Sequence, residues 1–190
     1  PMDCSYCFLQ EYLANNPLLK VFTNVEDLLN ELAKVVDRQP WRQYRIGTGE
    51  LSDSLALDDL LGFSKDLVPF FARRKNALLE FKTKSQCVDN LLGLDSGGRV
   101  VVSWTLTPPV IADYEEHGTA SFHQRVEAAR LVGNAGYKVG FHFDPLIEYR
   151  GWEKDYNECI RELFSRVDAS NVAWVSLGSL RLTNRLRKIM

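Results

Sequence analysis

Two thiols three positions apart, Cys4 and Cys7, and an acid closing a glycine loop, Gly47-Thr48-Gly49-Glu50, are the residues of this chain best suited to chemistry. A C-x-x-C pair serves one of three ends. As a dithiol it cycles to a disulfide, as in small redox folds. As half of a zinc site it needs two more ligands, usually a second pair. Cys87 and Cys159 stand alone, however, and His117 and His123 form no such partner. As part of a three-thiolate set it holds an iron–sulfur cluster with one iron left open. Gly47 and Gly49 give the loop before Glu50 the backbone freedom of a turn. Without the cysteines the same loop reads as a solvated turn. His142 and Asp144 alternate with Phe141 and Phe143, so they share one face of a strand, the interior of a barrel.

Alternating elements must position these groups. Residues 19–23 read as a short strand. A helix over 25–36 follows, capped by Asn24, with Leu28, Leu29, Leu32 and Val35 or Val36 on one face. Strands are predicted at 44–46, 77–81, 99–105, 137–143 and 172–177. Helices are predicted within 57–73 (interrupted near Gly62), 88–94, 120–134 and 156–167. Helices between strands imply crossovers and a mainly parallel sheet. The strands end in polar or glycine-containing loops around Glu50, Lys84, Ser103, Asp144 and Gly178. In parallel α/β folds chemistry gathers at that carboxyl edge. Cys87 and Cys159 fall in helical segments and read as buried and inert.

The bulk properties narrow the class. At 190 residues with 45% hydrophobic content, one packed domain is expected, and disorder is excluded. No run approaches the roughly 18 to 20 apolar residues of a membrane span. A net charge of −2 offers no global attraction to phosphate backbones; basic clusters at 73–75 and 181–188 read as ordinary solvated helix faces, or as local phosphate contacts. Sparse cysteine use fits a reducing cytoplasm. The chain starts at Pro1 and stops at Met190 inside a basic run, and reads as part of a longer polypeptide.

Cys4 and Cys7, preceded by the spacer Pro1-Met2-Asp3 and containing aromatic Tyr6, resemble the last two cysteines of C-x-x-x-C-x-x-C, the signature of the radical S-adenosylmethionine superfamily. Thr48-Gly49-Glu50 is similar to that superfamily's Gly-Gly-Glu strand end. More narrowly, the chain resembles the spore photoproduct lyase family. The carriers are Cys-Ser-Tyr-Cys-Phe-Leu-Gln at 4–10, Leu51-Ser52-Asp53 with Asp58, Phe81-Lys82-Thr83-Lys84, and Ser103.

The resemblance implies an α/β fold, an incomplete parallel (β/α)6 barrel truncated at both ends. Residues 1–190 would be a single radical S-adenosylmethionine core domain, with the leading cluster cysteine directly before Pro1. It implies a 4Fe–4S cluster with Cys4 and Cys7 as metal ligands. It places S-adenosylmethionine against Tyr6, Gly47, Thr48, Gly49, Glu50, Lys84 and Ser103, with Glu50 on the amino group and Lys84 and Ser103 on the carboxylate. His142 and Asp144 would line the substrate. The implied activity is a carbon–carbon lyase that reverses a thymine–thymine photolesion in DNA, supplied with electrons by a flavodoxin or ferredoxin. The alternatives are a related radical enzyme with another substrate, and a zinc or redox C-x-x-C module. Two positions depart from the family. Its hydrogen-returning cysteine has Glu50-Leu51 in its place, leaving no catalytic hydrogen donor assigned, and its tyrosine after the last cluster cysteine is Phe8.

Overall fold

Five parallel strands set the architecture. The computed structural model describes residues 2–7, 9–10 and 18–189. In it β2 (Tyr44–Gly47), β3 (Ala77–Thr83), β4 (Val100–Thr105), β6 (Lys138–Leu146) and β7 (Val172–Ser179) lie in that order as a curled half-barrel. A second, two-stranded sheet pairs β1 (Asp3–Cys4) antiparallel with β5 (Glu116–His117), matching Cys4 to Glu116. Phe8 and Pro1, which the resemblance singled out, lie outside the described residues.

Strand alternation divides the main sheet into two faces. Leu79 and Phe81, Val102 and Trp104, and Val139, Phe141 and Phe143 point outward and are buried in one apolar core. Against them pack Leu67, Val68 and Phe71 of α3 (Phe63–Ala72), Phe122, Val126 and Ala129 of α6 (Phe122–Asn134), and Tyr156, Cys159 and Leu163 of α7 (Trp152–Arg166). Each such fully buried large side chain contributes about 1.5–3 kcal/mol. Ser121 and Gln124 close a capping box at the start of α6 and fix where that helix begins.

The other face lines the lumen and is polar. Glu80, Ser103 and His142 occupy it, joined by Trp174 and Ser176 after a register shift in β7. Val139 pairs with Val172, but Gly140 pairs with Trp174, so Ala173 is an extra residue that turns Trp174 and Ser176 inward. Gly140 makes this possible, since a Cβ there would sit 2.6 Å from Trp174 Nε1.

Three local expectations differ from the structure. Residues 19–23 form no strand; they are exposed and pair with nothing in the sheet, and β-branched and aromatic content alone does not make a strand without a ladder partner. Cys87 is half-buried in a loop instead of a helix, because Ser85 Oγ captures its N–H at 3.0 Å and delays α4 (Asp89–Leu92). The first long helix, α1 (Val25–Arg38), fully buries only Val36, with Leu28 and Val35 exposed. No described helix is long and apolar enough to cross a membrane.

Candidate cofactor-binding site

The cysteine loop is tied to the carboxyl edge of the sheet by one buried carboxylate. Cys7 N–H donates to Cys4 O at 3.0 Å, forming a turn that keeps both thiols on one loop. Gln10 Nε2 donates to Cys4 O at 2.6 Å and braces that turn from the far side. Pairing of β1 with β5 then lays Glu116 beside the loop. Glu116, only 2% exposed, accepts from Tyr6 OH, from Lys84 Nζ at 2.9 Å, from Arg125 Nη2 at 2.6 Å and from Thr107 Oγ1 at 3.0 Å. Burial would push its pKa up. The charges of Arg125 and Lys84 prevail and hold it at about 2.

Lys84 is the bridge to the thiols. Its ammonium lies 3.3 Å from Cys4 Sγ and 2.6 Å from Tyr6 OH. One carboxylate, Glu116, faces two cations, Arg125 and Lys84, so a positive charge is left over beside the Cys4 sulfur. Burial raises the Cys4 pKa and Lys84 works against that rise. A bound metal would shift the balance further toward thiolate. Tyr6 is held neutral: burial, and then the Glu116 charge, push its pKa upward.

The glycine loop stacks against the same strand end. Thr48 N–H donates to Glu80 O at 3.2 Å, and Thr48 Oγ1 donates to Ser54 Oγ at 2.8 Å. Gly49 has no room for a side chain, because a Cβ would lie 2.9 Å from both Lys82 Cβ and Lys82 O. Gly47 has nothing within 4 Å of that position, so its glycine is not required by packing. Asp53 clamps the loop, accepting from Thr83 Oγ1 and from Lys84 N, each at 2.7 Å. Glu50 is exposed, and its carboxylate has no partner among the described residues.

Ser103 and His142 belong to a separate network deeper in the lumen. Ser103 Oγ donates to Glu80 Oε1 at 2.7 Å, and His142 Nε2 lies 2.9 Å from the same oxygen. Ser103 pairs with Lys82, so it sits two residues, about 7 Å, below Lys84 along the strands. Asp144 is half-buried and paired with Arg181 at 2.9 Å. The structure therefore joins Cys4, Tyr6 and Lys84 directly and stacks Thr48 and Gly49 on the same strand end. It sets Ser103 and His142 on a lower tier.

Glu116 and Arg125 are the site residues that sequence reasoning missed. Arg125 was detectable: Phe122, Arg125, Val126 and Ala129 form one inward stripe, and a charge on such a stripe demands a buried partner. Nothing comparable marks Glu116, because a two-residue strand has no periodicity.

The chain matches the family pattern of spore photoproduct lyase over residues 2–190. It belongs to the spore photoproduct lyase family. It is 31% identical over 170 residues to the spore photoproduct lyase of Geobacillus sp. (strain Y412MC61), covering 90% of this chain and 50% of that one. It is 30% identical over 167 residues to that of Bacillus subtilis (strain 168), covering 88% and 48%. A spore photoproduct lyase variant solved with bound AdoMet and dinucleoside spore photoproduct superposes with a TM-score of 0.91 at 29% identity, over 99% of this chain and 56% of that chain. This chain thus spans about half the length of the family members it matches.

The donor set here fits the family's cofactor better than a zinc ion. Two thiols share one turn beside the Lys84 ammonium, which shares the Glu116 carboxylate with Arg125, and Gly49 keeps the adjoining loop close to the strand end. Among the described residues no group of three His, Cys, Asp or Glu is placed to hold a metal, so a four-ligand zinc site would lack two partners. A cluster needs one further thiolate.

Proposed function

We propose that residues 1–190 are the core domain of a cytoplasmic radical S-adenosylmethionine enzyme of the spore photoproduct lyase type. The observation that carries this reading is Lys84 Nζ at 3.3 Å from Cys4 Sγ, which puts a cation and a cluster ligand at one strand end. Cys4 and Cys7, with a cysteine directly upstream of Pro1, would hold a 4Fe–4S cluster. When bound, cluster and S-adenosylmethionine supply an electron and a 5′-deoxyadenosyl radical for hydrogen abstraction. This chain's residues bind and orient. Glu50, without an internal partner among the described residues, accepts from the amino group. Lys84 lies where a carboxylate could exchange for the Tyr6 hydroxyl. Glu116 and Arg125 hold Lys84 and Tyr6 in place.

The family relationship supports lesion repair in DNA as the activity, with a flavodoxin or ferredoxin as reductant. A second reading, the same radical chemistry on another substrate, is favoured by Glu50-Leu51 standing where the family places its hydrogen-returning cysteine. Anaerobic purification of the full-length protein tests the class. About four irons per chain and reductant-dependent 5′-deoxyadenosine are expected, and a colourless zinc protein would overturn it. Incubation with a dinucleotide photoproduct separates the substrates: recovery of thymine supports repair, and brisk cofactor cleavage without thymine favours the second reading.

A further inference from the structure

We infer that Ser176, His142 and Glu80 form a proton-transfer relay facing the lumen of the half-barrel, serving a substrate that exchanges a proton at a hydroxyl or carbonyl oxygen. The inference rests on the radical reading above and adds an acid–base function that radical generation does not require. Three strands contribute. His142 Nε2 of β6 lies 2.9 Å from Glu80 Oε1 of β3, and His142 Nδ1 lies 2.5 Å from Ser176 Oγ of β7.

The proton positions follow from the carboxylate. Burial would raise the Glu80 pKa, but hydrogen bonds from His142, Ser103 and Arg45 outweigh it and hold the group at about 2. An ionised carboxylate only accepts, so His142 Nε2 carries the proton. With that as the only ring proton, the tautomer the relay requires, Nδ1 accepts and the Ser176 hydroxyl donates to it. A hydroxyl on an imidazole whose far nitrogen is anchored by a carboxylate is the arrangement of activated-serine sites. Glu80 is 8% exposed and His142 7%, whereas Ser176 is only half-buried, so the hydroxyl is the end of the relay that a substrate meets.

The surroundings point to an oxygen-bearing ligand. Trp174 Nε1, on the same face two residues below Ser176, is buried without an acceptor among the described residues. Lys82, on the same face of β3 as Glu80, also has no acceptor among the described residues. Among the described residues, the other charged groups on this face are Arg45 of β2, 2.6 Å from Glu80 Oε2 and stacked 4.1 Å from the centroid of Trp174, and Asp144 of β6, paired with Arg181. In the step itself the substrate O–H proton passes to Ser176 Oγ while the serine's own proton passes to His142 Nδ1. One substrate O–H bond breaks and one imidazole N–H bond forms. No electron changes hands, and the resulting imidazolium stays in contact with the Glu80 carboxylate.

Covalent capture with diisopropyl fluorophosphate tests the relay on the full-length protein. The serine oxygen bonds to phosphorus, the P–F bond breaks, and the hydroxyl proton goes to His142 as fluoride leaves. Peptide mass spectrometry is expected to find the label on Ser176. His142→Gln and Glu80→Gln should slow labelling by about 100-fold or more, while His123→Gln on the surface leaves it unchanged. Should the interior variants fail to fold, nitrogen NMR of histidine-labelled wild type decides. A proton on Nε2 and none on Nδ1 is expected, and the opposite tautomer overturns the relay. So does an unlabelled Ser176, or a labelling rate indifferent to Glu80→Gln. A protein that labels but makes no 5′-deoxyadenosine keeps the relay and loses the radical reading; the reverse result loses only the relay.

Discussion

Replacing Glu116 by Gln should destabilise the protein by about 3 kcal/mol at neutral pH. The side chain keeps its shape but loses the charge that Arg125 and Lys84 share. Its folded pKa of about 2, against an ordinary 4.5, converts to roughly 3 kcal/mol at about 1.4 kcal/mol per unit. Stranding the fully buried Arg125 guanidinium gives an independent figure of about 3–5 kcal/mol. The two agree. For a domain of this size that loss lowers Tm by about 6–12 °C. The pH dependence has a definite sign. A depressed carboxyl pKa adds stability above the unfolded value near 4.5 that is lost as pH falls toward 2, so the gap between wild type and Glu116→Gln must narrow below about pH 4.5. Urea titrations of both proteins between pH 7 and pH 3 measure it. A variant within about 1 kcal/mol of wild type at pH 7, or a gap that widens in acid, refutes the charge-sharing argument.

Gly49→Ala is expected to displace the loop and weaken S-adenosylmethionine binding by about 10-fold or more in equilibrium dialysis, since overpacking against Lys82 costs about 1–3 kcal/mol. Gly47→Ala, with open space at the same atom, should bind as wild type does. Gly140→Ala would drive a methyl group into the Trp174 ring; a changed tryptophan emission and a stability loss of about 1–3 kcal/mol are expected by fluorescence-monitored unfolding. Burial pushes the Cys159 thiol up to about 12, so it should resist iodoacetamide at pH 8 until the protein unfolds.

What could be read in the sequence was what local periodicity encodes. The strands ending near Gly47, Thr83, Thr105, Asp144 and Gly178 alternate with helices whose apolar spacing is regular, and their loops do meet at one edge of a parallel sheet. The C-x-x-C pair and Lys84 were visible as residue types, and their contact is what the fold adds. Elements too short for a period were not legible: β1 and β5, two residues each, decide that Glu116 lies under the cysteine loop. Ser103 stands in the sequence as a candidate carboxylate ligand, yet its one O–H is given to Glu80, a partner 23 positions away that only strand pairing reveals. Residues 19–23 show the converse error, strand-like composition without a neighbouring ladder.

The most direct test of the central claim is electron paramagnetic resonance of the reduced, anaerobic full-length protein, with and without S-adenosylmethionine. The expected result is an iron–sulfur signal that changes shape on adding S-adenosylmethionine and disappears in Cys4→Ala and Cys7→Ala. A signal indifferent to S-adenosylmethionine, or one that survives loss of both thiols, would contradict the assignment of Cys4 and Cys7 to a cluster with an open iron.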